Sequence, residues 1–384
     1  MDLRYGINPG QKAAVEPVGH GEWPVRVLHG SPSYVNMLDA LNSWQLVREA
    51  SGALNRVAAT SFKHVSPAGA ALAGTIDDVT ADLYGVDRVS LGQVASAYLR
   101  ARDADPKSSY GDFAAVSHPV DAELADLLTR VVSDGIIAPG YAPGTVDTLR
   151  KKKDGRFLIL EADDEFVPPE RERREVFGLR LDRQRDLMAL SAELLKDIVC
   201  GTLPPAARDD LLLGLVVMRY TQSNSSCYLR DGVTLGISAG QQSRVDCTRL
   251  AGEKADIWWL RGHPTVRALA FAPDVRRQDR INWQIRFIEG DLTPDETTRL
   301  ASVLTEPAEV LTAQQRTDWL AGLKEVAFVS DGALPFRDNV DHAFRHGVGY
   351  IAEPGGSIRS DEVEAACREH GITLVHTGVR LFHH

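Results

Sequence analysis

Cysteine is scarce in this sequence, and the few cysteines present are widely spaced. The 384 residues contain four, at Cys200, Cys227, Cys247 and Cys367, and no CxxC motif. A disulfide framework or a structural zinc site requires cysteines in closer, paired spacings, whereas scattered cysteines are typical of reduced thiols in a cytosolic protein. We therefore expect a cytoplasmic protein without disulfides.

Long apolar runs and an excess of positive charge are also missing. No stretch approaches the roughly 20 apolar residues that a membrane-spanning helix needs, and the N-terminal MDLRYGINPG lacks the apolar core of a signal peptide. The chain has 43 Lys and Arg against 53 Asp and Glu, which gives a formal net charge of -10. Since nucleic-acid binding needs a broad basic face, we expect neither a membrane segment nor a nucleic-acid partner.

The remaining composition, with 43% hydrophobic and 25% charged residues, is that of a globular protein. Short apolar runs alternate with helical patterns, which predicts an α/β fold with a parallel or mixed sheet. The length favours two domains, and the charged stretch 163–185 marks their boundary. We predict a first α/β domain over 1–165, a connector with helices over 166–220, and a second α/β domain over 221–384.

Several elements can be predicted individually from hydrophobic periodicity and turn residues. We expect a helix over 36–50 and a hairpin whose strands, 225–229 and 233–238, turn on Asp231-Gly232. The similar outlines of 57–71 and 326–346 suggest two related halves. The other predicted elements are strands over 57–62, 113–116, 135–138, 326–330, 347–352 and 372–376, and helices over 120–132, 183–199 and 206–220.

The stretch SFKHVSPAGAA (61–71) contains the clearest candidate for catalysis. Lys63 and His64 are adjacent at the end of the apolar run 57–62, just before Pro67 and Gly69. Neighbouring side chains of a strand point to opposite faces, so the pair can act together only where the backbone is already turning. Titratable groups at such junctions are common in catalysis; the alternative is a surface lysine beside a half-buried histidine.

Other residues predict an anion site near the strand ends. Arg4 and Tyr5 precede a glycine-containing turn, where a guanidinium and backbone donors suit a phosphate or carboxylate. A helix opens near Arg244, and its free N–H groups favour an anion; Asn224 lies before the predicted hairpin. Gly111 and Asp134 fall beyond strand ends, where α/β sheets collect ligands. The alternatives are a solvated Arg4 and, for Trp258 and Trp259, core packing instead of stacking on a heterocycle.

Four blocks, taken in order, resemble one family. They are LRYGINPGQ (3–11), SFKHVSPAGAA (61–71), YTQSNSSCYLRDG with GISAGQQSRVDCTRLAGEKA (220–255), and SDGALPFRDNVDHA with the terminal VRLFHH (330–384). The chain is similar to the AICAR transformylase domain of the bifunctional purine-biosynthesis proteins, from Leu3 to His384. The IMP cyclohydrolase domain that precedes LRYG in those proteins is absent from this sequence, so the chain resembles a stand-alone transformylase.

This resemblance implies an activity, a fold and a set of site residues. The activity is formyl transfer from 10-formyltetrahydrofolate, a cosubstrate, to the 5-amino group of AICAR, giving FAICAR for a separate IMP cyclohydrolase. The fold is two cytidine-deaminase-like, three-layer α/β halves, with active sites across a homodimer. The implied catalytic residues are Lys63, His64 and Asn224; the AICAR contacts are Arg4, Tyr5, His64, Gly111, Asp134, Asn224, Arg244 and Arg380; the folate contacts are Val245, Asp338, Ser357 and Ile358.

We predict no catalytic metal for this chain. Zinc deaminases need an HxE motif together with PCxxC; His20-Gly21-Glu22 supplies the first by chance, and no PCxxC occurs. The chemistry leaves room for a structural monovalent cation.

Three positions depart from the family's pattern. Gly10 replaces a usual histidine, Asp246 another common histidine, and Ala333 an aromatic residue expected near the substrate base. A missing aromatic wall loosens ring stacking. Two alternatives to AICAR transformylase therefore stay open: a folate-dependent formyltransferase for another aminoheterocycle nucleotide, and a non-catalytic nucleotide-binding paralogue.

Overall fold

The computed structural model describes residues 1–18 and 23–384. In the first half, helices and further strands lie around a central hairpin of two strands. In chain order this half contains β1 (Asp2–Leu3), β2 (Ala13–Ala14), β3 (Val25–His29), α1 (Tyr34–Leu54), β4 (Ala58–Lys63), β5 (Ser66–Leu72), α2 (Asp78–Tyr84), α3 (Gln93–Asp103), β6 (Asp112–Val116), α4 (Ala122–Thr129), β7 (Ser133–Ala138), α5 (Thr145–Arg150) and β8 (Leu158–Ala162).

A middle segment connects the halves and includes an exposed hairpin. It contains β9 (Arg171–Val176), β10 (Leu179–Gln184), β11 (Ile198–Cys200) and α6 (Pro205–Arg219). The second half then contains β12 (Ser226–Arg230), β13 (Val233–Ser238), α7 (Arg244–Leu260), α8 (Pro264–Arg267), α9 (Arg277–Glu289), α10 (Pro294–Val303), α11 (Ala313–Leu320), β14 (Val326–Ser330), α12 (Asp338–Arg345), β15 (Val348–Glu353), α13 (Ser360–His370) and β16 (Thr373–His376).

One mixed sheet runs through both halves. Within the described residues it has 12 strands in the order β11-β16-β15-β14-β12-β13-β5-β4-β6-β7-β8-β3. The halves meet where β13 pairs antiparallel with β5, Val233 opposite Ala71. The central strands β4, β6 and β14 are buried along nearly their whole length, as is typical of strands covered on both faces.

Helices cover both faces of this sheet, so the fold has three layers. Helices α1 and α6 pack on one face, around a cluster that includes Leu46, Val217 and Phe62. Helices α3, α4, α7, α12 and α13 pack on the other face, around a cluster that includes Tyr98 and Phe328. Burying one such large apolar side chain contributes about 1.5–3 kcal/mol. The predicted three-layer α/β class is confirmed.

The two halves repeat the same strand order about the β13–β5 seam. Hairpin β4–β5 corresponds to hairpin β12–β13, and strands β6, β7 and β8 correspond to β14, β15 and β16. The predicted relation of two halves is therefore right, but the proposed alignment of 57–71 with 326–346 is wrong. The counterpart of 57–71 is 225–238, which the sequence does not indicate because the two hairpins share little beyond their lengths.

The main error of element prediction lies in the middle segment. A helix was predicted over 183–199, but β10 extends to Gln184, and a short 3-10 turn (Ala192–Leu195) precedes β11. Helix-forming residues dominate this stretch, yet Leu190 and Leu195 are buried singly and Ile198 pairs with β16; tertiary packing overrides weak propensity. The domain boundaries stay a prediction. Among the described residues no helix combines the length and hydropathy needed to cross a bilayer.

Candidate active site

One edge of the sheet collects the predicted site residues of both halves. Strand β4 ends there, and β5, β6 and β7 begin there. From the second half, β12 begins and β13, β14, β15 and β16 end at the same edge. We call it the Lys63 edge.

Lys63 and His64 lie at the tight turn between β4 and β5. His64 and Val65 have φ values of 53° and 62°, in the left-handed region, which is the geometry of a two-residue hairpin turn. Such angles are unfavourable for a β-branched valine. His64 is exposed and Lys63 half-buried, so the backbone is turning at the pair, as predicted.

The Lys63 ammonium is held by backbone carbonyls of the loop before β6. Its Nζ donates to the Tyr110 oxygen at 2.9 Å and to the Gly111 oxygen at 2.8 Å. An ammonium has three donors, so within the described structure one N–H is left for a ligand. Gly111 has φ +73°, and a Cβ there would lie 3.0 Å from Nζ; glycine therefore allows the close approach.

A buried polar network fixes that loop from below. Ser61 Oγ donates to Asp112 at 2.8 Å and contacts Ser109 Oγ at 2.8 Å. Arg102 pairs with Asp112 at 2.6 Å, and both side chains are almost fully buried. Buried pairs of this kind cost much when one partner is removed. This network fixes the loop whose Tyr110 and Gly111 carbonyls accept hydrogen bonds from Lys63. No motif in the sequence indicates the network.

Asp134 lies beside this loop, with one carboxylate oxygen 3.8 Å from the Cβ position at Gly111. Lys153 pairs with it at 2.5 Å. The neighbouring Lys152 donates to the Ser133 oxygen at 3.1 Å, and burial lowers its pKa to about 8. Two lysines thus stand next to the predicted substrate residue Asp134.

Asp39 is a residue of this site that sequence reasoning missed. It belongs to α1, is 6% exposed, and accepts the Val65 N–H at 2.7 Å. Burial raises its pKa to about 6, while the Val65 hydrogen bond and the nearby His64 and Lys63 act in the opposite direction. The sequence does contain an indication of this residue, because Asp39 is an acidic residue on the same helical face as the buried Ser43, Leu46 and Ala50.

Arg4 and Tyr5 lie at the start of α1. Tyr34 N–H donates to the Tyr5 oxygen at 3.0 Å, and Arg4 N–H donates to the Pro32 oxygen at 3.0 Å. The Arg4 guanidinium is exposed and donates to the Tyr5 hydroxyl at 3.1 Å. Because α1 also carries Asp39 little more than one turn further on, these residues border the Lys63–His64 turn.

Asn224 and Arg244 are joined directly at the Lys63 edge. Arg244 donates to Asn224 Oδ1 at 2.8 Å, and Asn224 donates to the Gln242 oxygen at 3.3 Å. The same guanidinium pairs with the fully buried Asp331 and contacts Ser330 Oγ at 3.1 Å. Asp331 thus neutralises Arg244, which orients Asn224. Contact of Arg244 with a substrate stays a prediction.

The predicted folate residues cluster around two helix starts. Val245 lies in the first turn of α7 and Asp338 begins α12, and these helices are linked by a 3.0 Å hydrogen bond from Thr248 to Asn339. Ser357 and the fully exposed Ile358 lie in the loop after β15. That loop reaches the α12 start, since the Arg359 guanidinium lies 5.1 Å from the Phe336 ring centre.

Arg380 belongs to the C-terminal segment that closes this second cluster. It is exposed and lies 5.2 Å from the Phe382 ring centre. Leu381 N–H donates to the Asp331 oxygen at 2.9 Å, and His383 N–H donates to Ser223 Oγ at 3.0 Å. These bonds place the segment next to Asn224.

The predicted site residues fall into two clusters along the Lys63 edge. The first cluster comprises Arg4, Tyr5, Lys63, His64, Gly111 and Asp134; the second comprises Asn224, Arg244, Val245, Asp338, Ser357, Ile358 and Arg380. Strands β5 and β13 separate β4 from β12, which is three strand spacings or roughly 14 Å. Lys63 also points to the β6 side, away from β12. Within one copy, Lys63 and Asn224 are therefore not brought together.

The described residues contain no group of three or more His, Cys, Asp or Glu side chains arranged to hold a metal. His20 and Glu22, the chance HxE match, lie outside the described residues. Trp258 and Trp259 pack against the core, and Trp259 exchanges hydrogen bonds of 2.9 and 3.0 Å with Trp319.

A family comparison bears directly on this arrangement. The model of the AICARFT/IMPCHase bienzyme family matches residues 1–254, well over half of the chain. The chain belongs to this family.

Members of the AICARFT/IMPCHase bienzyme family extend beyond the region that this chain covers. The bifunctional purine biosynthesis protein PurH of Roseobacter denitrificans is 30% identical over 386 residues, which cover 100% of this chain and 59% of that protein. PurH of Cereibacter sphaeroides is 30% identical over 390 residues, with the same coverage. The family resemblance drawn from the four sequence blocks is confirmed, and the chain spans 59% of the length of these relatives.

Proposed function

We propose that this protein transfers the formyl group of 10-formyltetrahydrofolate to the 5-amino group of AICAR, giving FAICAR and tetrahydrofolate. The observation that carries the proposal is the Lys63–His64 turn. It presents an ammonium fixed by two carbonyls next to an exposed imidazole. Membership of the AICARFT/IMPCHase family supports the reaction class, and both substrates are small molecules.

The reaction requires a base, because the AICAR amine is weakened by delocalisation into its ring and carboxamide. The exposed imidazole of His64 accepts the amine proton as nitrogen bonds to the formyl carbon. The remaining N–H of Lys63 donates to the oxyanion of the tetrahedral intermediate. The bond from the formyl carbon to N10 of folate then breaks, and N10 takes up the proton that His64 accepted.

Residues of the second cluster complete the site in this proposal. The Asn224 amide donates to the formyl oxygen, and Arg244 holds that amide in orientation. The exposed guanidiniums of Arg4 and Arg380 suit the phosphate or carboxamide of AICAR. Val245, Asp338, Ser357 and Ile358 provide the folate surface. No step needs a metal, and a structural monovalent cation is compatible with it.

A homodimer is part of the proposal because β4 and β12, which adjoin the two clusters, lie three strand spacings apart in one copy, roughly 14 Å at 4.7–4.9 Å per strand. A second copy would bring its Asn224 cluster against the Lys63–His64 turn. The product would pass to a separate IMP cyclohydrolase, and we place the protein in the cytoplasm.

The decisive experiment is steady-state formyl transfer from 10-formyltetrahydrofolate to AICAR by the purified protein. We expect His64→Ala and Lys63→Met to lower kcat by about 100- to 10,000-fold, the usual contribution of general acid–base groups. His64 is exposed and Lys63 is half-buried outside the apolar core, so the unfolding midpoint should change little. Near-full turnover in either variant would contradict the assignment.

One observation favours a second candidate, formyl transfer to another aminoheterocycle nucleotide. Ala333 is half-buried at the Lys63 edge, next to Gly332, whose Cβ position lies 2.7 Å from the Phe382 ring. It offers a methyl group where an aromatic wall was expected. Gly10 is exposed, with φ +88° and no atom of the described residues within 4 Å of its Cβ position. Comparing kcat/KM for AICAR with that for aminopyrazole analogues separates the two candidates; nucleotide binding without product would favour a non-catalytic paralogue.

A further inference from the structure

Asp39 carries a negative charge in a place that is unfavourable for stability. Its carboxylate is 6% exposed, and its one hydrogen-bond donor within the described structure is the Val65 N–H, at 2.7 Å. No cation among the described residues lies within ion-pair distance. Burying a carboxylate with so little compensation is costly, so its location needs an explanation beyond folding.

The position of the carboxylate supplies that explanation. Val65 is the second of the two turn residues with left-handed backbone angles. Its N–H therefore belongs to the turn itself, and this N–H donates to Asp39. The charged groups that act on Asp39 are His64 and Lys63 of this turn and Asp134 of β7. The Asp39 carboxylate thus stands behind the pair that would move the proton.

The other elements packed on α1 carry charges that face elsewhere. Asp112 of β6 pairs with Arg102 on the opposite face of the sheet. Arg219 of α6 pairs with Glu49, ten residues beyond Asp39. The charge of Asp39 is therefore directed at the Lys63–His64 turn.

We propose that Asp39 is the positioning residue of this turn. Its carboxylate fixes the Val65 amide, and it balances the positive charge that His64 acquires when it accepts a proton. The inference rests on the formyl transfer proposed above.

The second half offers a matched control. Asp210 of α6 is also buried and accepts two turn amides, from Asp231 at 3.0 Å and Gly232 at 2.6 Å. Burial raises its pKa to about 6, as it does for Asp39. This turn lies at the opposite edge of the sheet and carries neither lysine nor histidine.

The experiment compares Asp39→Asn with Asp210→Asn in the formyl-transfer assay. An asparagine keeps one oxygen to accept the Val65 N–H but removes the charge. We expect D39N to lower kcat roughly 10- to 100-fold, because the imidazolium formed during proton transfer loses the charge that balances it, with KM for AICAR within about threefold. D210N should keep kcat within about twofold, because it touches no reacting group.

The unfolding midpoint distinguishes a positioning residue from a structural one. Replacing a residue that only stabilises the fold should lower the midpoint, whereas D39N should raise it. The pKa of the Asp39 carboxyl group is raised from 3.8 to about 6 in the folded state. Its ionisation therefore makes the folded state less stable as pH rises through that window. D39N should therefore unfold a few degrees higher than wild type at pH 8, and the difference should shrink at pH 5. D210N loses one acceptor for two amides and should unfold lower.

A double variant tests whether Asp39 acts through His64. In a His64→Ala background, D39N should cause no further loss of turnover, since the charge has no imidazolium left to balance. Wild-type turnover in D39N, an additive loss, or a loss of turnover accompanied by a lower unfolding midpoint would each overturn the inference. If D39N does not fold, Asp39→Ser, which also lacks the charge, takes its place with the same expected outcomes.

The two proposals can fail separately. A wild-type protein that transfers no formyl group overturns the proposed function. An active wild type whose D39N variant is equally active overturns only the role of Asp39.

Discussion

At the scale of single residues, the candidate site consists of exposed or half-buried titratable side chains and of the buried residues that hold them in place. The sequence predicts Lys63 and His64 as site residues because these two titratable residues precede a proline and a glycine. Asp112 and Arg102 do not, because their ion pair joins α3 to β6 through the fold. Asp39 lies between these cases: an acid on a buried helical face signals an unusual carboxylate, but only the fold reveals that it meets Val65.

Gly111 allows a prediction at this scale. In Gly111→Ala the backbone keeps φ +73°, which costs a non-glycine residue about 1–2 kcal/mol. The new methyl group also meets the Lys63 ammonium at 3.0 Å. We expect a drop in kcat of at least about tenfold, because displacement by about 1 Å has large effects on catalysis.

Gly178→Ala is the control for this substitution. Gly178 has φ +77° at the tip of the β9–β10 hairpin, and in the part of the chain that the structure describes no atom lies within 4 Å of its Cβ position. It should show a similar loss in unfolding midpoint without a loss of turnover. Equal activity in both variants would mean that Gly111 is required for backbone conformation alone.

At the scale of elements, hairpins and strands with clear turn residues were predicted well. Strands β12 and β13 meet at Asp231-Gly232 as expected, and β14 matches its predicted range of 326–330. The β9–β10 hairpin lies in the stretch interpreted as a charged connector, because residues 171–175 of β9 are all charged. Apolar alternation is confined to Leu179 and Leu181 of β10, which is too short a run to predict a strand.

Two glycines govern how closely helices approach the central strands. A Cβ at Gly69 of β5 would lie 2.1 Å from the Ala101 oxygen of α3, and one at Gly236 of β13 would lie 2.2 Å from the Ala251 oxygen of α7. Both contacts involve backbone, which yields little. Gly69→Ala and Gly236→Ala should each destabilise the fold by about 1–3 kcal/mol, the usual cost of overpacking.

The unfolding midpoint of each variant measures this cost. Gly52→Ala in α1 serves as the control, because no atom among residues 1–18 and 23–384 lies within 4 Å of its Cβ position. It should stabilise the protein by about 0.5–1 kcal/mol through helix propensity. Unchanged midpoints for Gly69→Ala and Gly236→Ala would mean that α3 and α7 can shift without loss.

At the scale of the whole molecule, the class of fold followed from alternating elements, but the continuity of the sheet did not. The seam between the halves has one register pair, Val233 with Ala71, and a hydrogen bond from Leu72 to Gly232 at 2.8 Å. No turn residue or periodic pattern marks such a long-range pairing, so the sequence does not indicate that the two halves share one sheet.

Mixing two inactive variants tests whether the site joins two copies. If Lys63 of one copy works with Asn224 of another, then unfolding and refolding Lys63→Met together with Asn224→Ala should restore activity. Half of the dimers would be mixed, each with one intact site of two, so about one quarter of wild-type turnover is expected for a symmetric dimer. Sedimentation at the assay concentration should show a dimer.

Separately refolded variants provide the control for this mixture. No recovery in the mixture, with dimers present, would mean that Lys63 and Asn224 of one copy act together.

The matching strand orders on either side of the β13–β5 seam also bear on the origin of the chain. Six strands on one side repeat the six on the other about a twofold relation, which is the result expected when an ancestral half-length chain duplicates and fuses. A self-paired ancestor would have carried two equivalent hairpin turns, at opposite edges of its sheet. In the present chain the two turns differ, with His64-Val65 in one and Asp231-Gly232 in the other, and a buried acid accepts turn amides behind each, Asp39 in the first and Asp210 in the second.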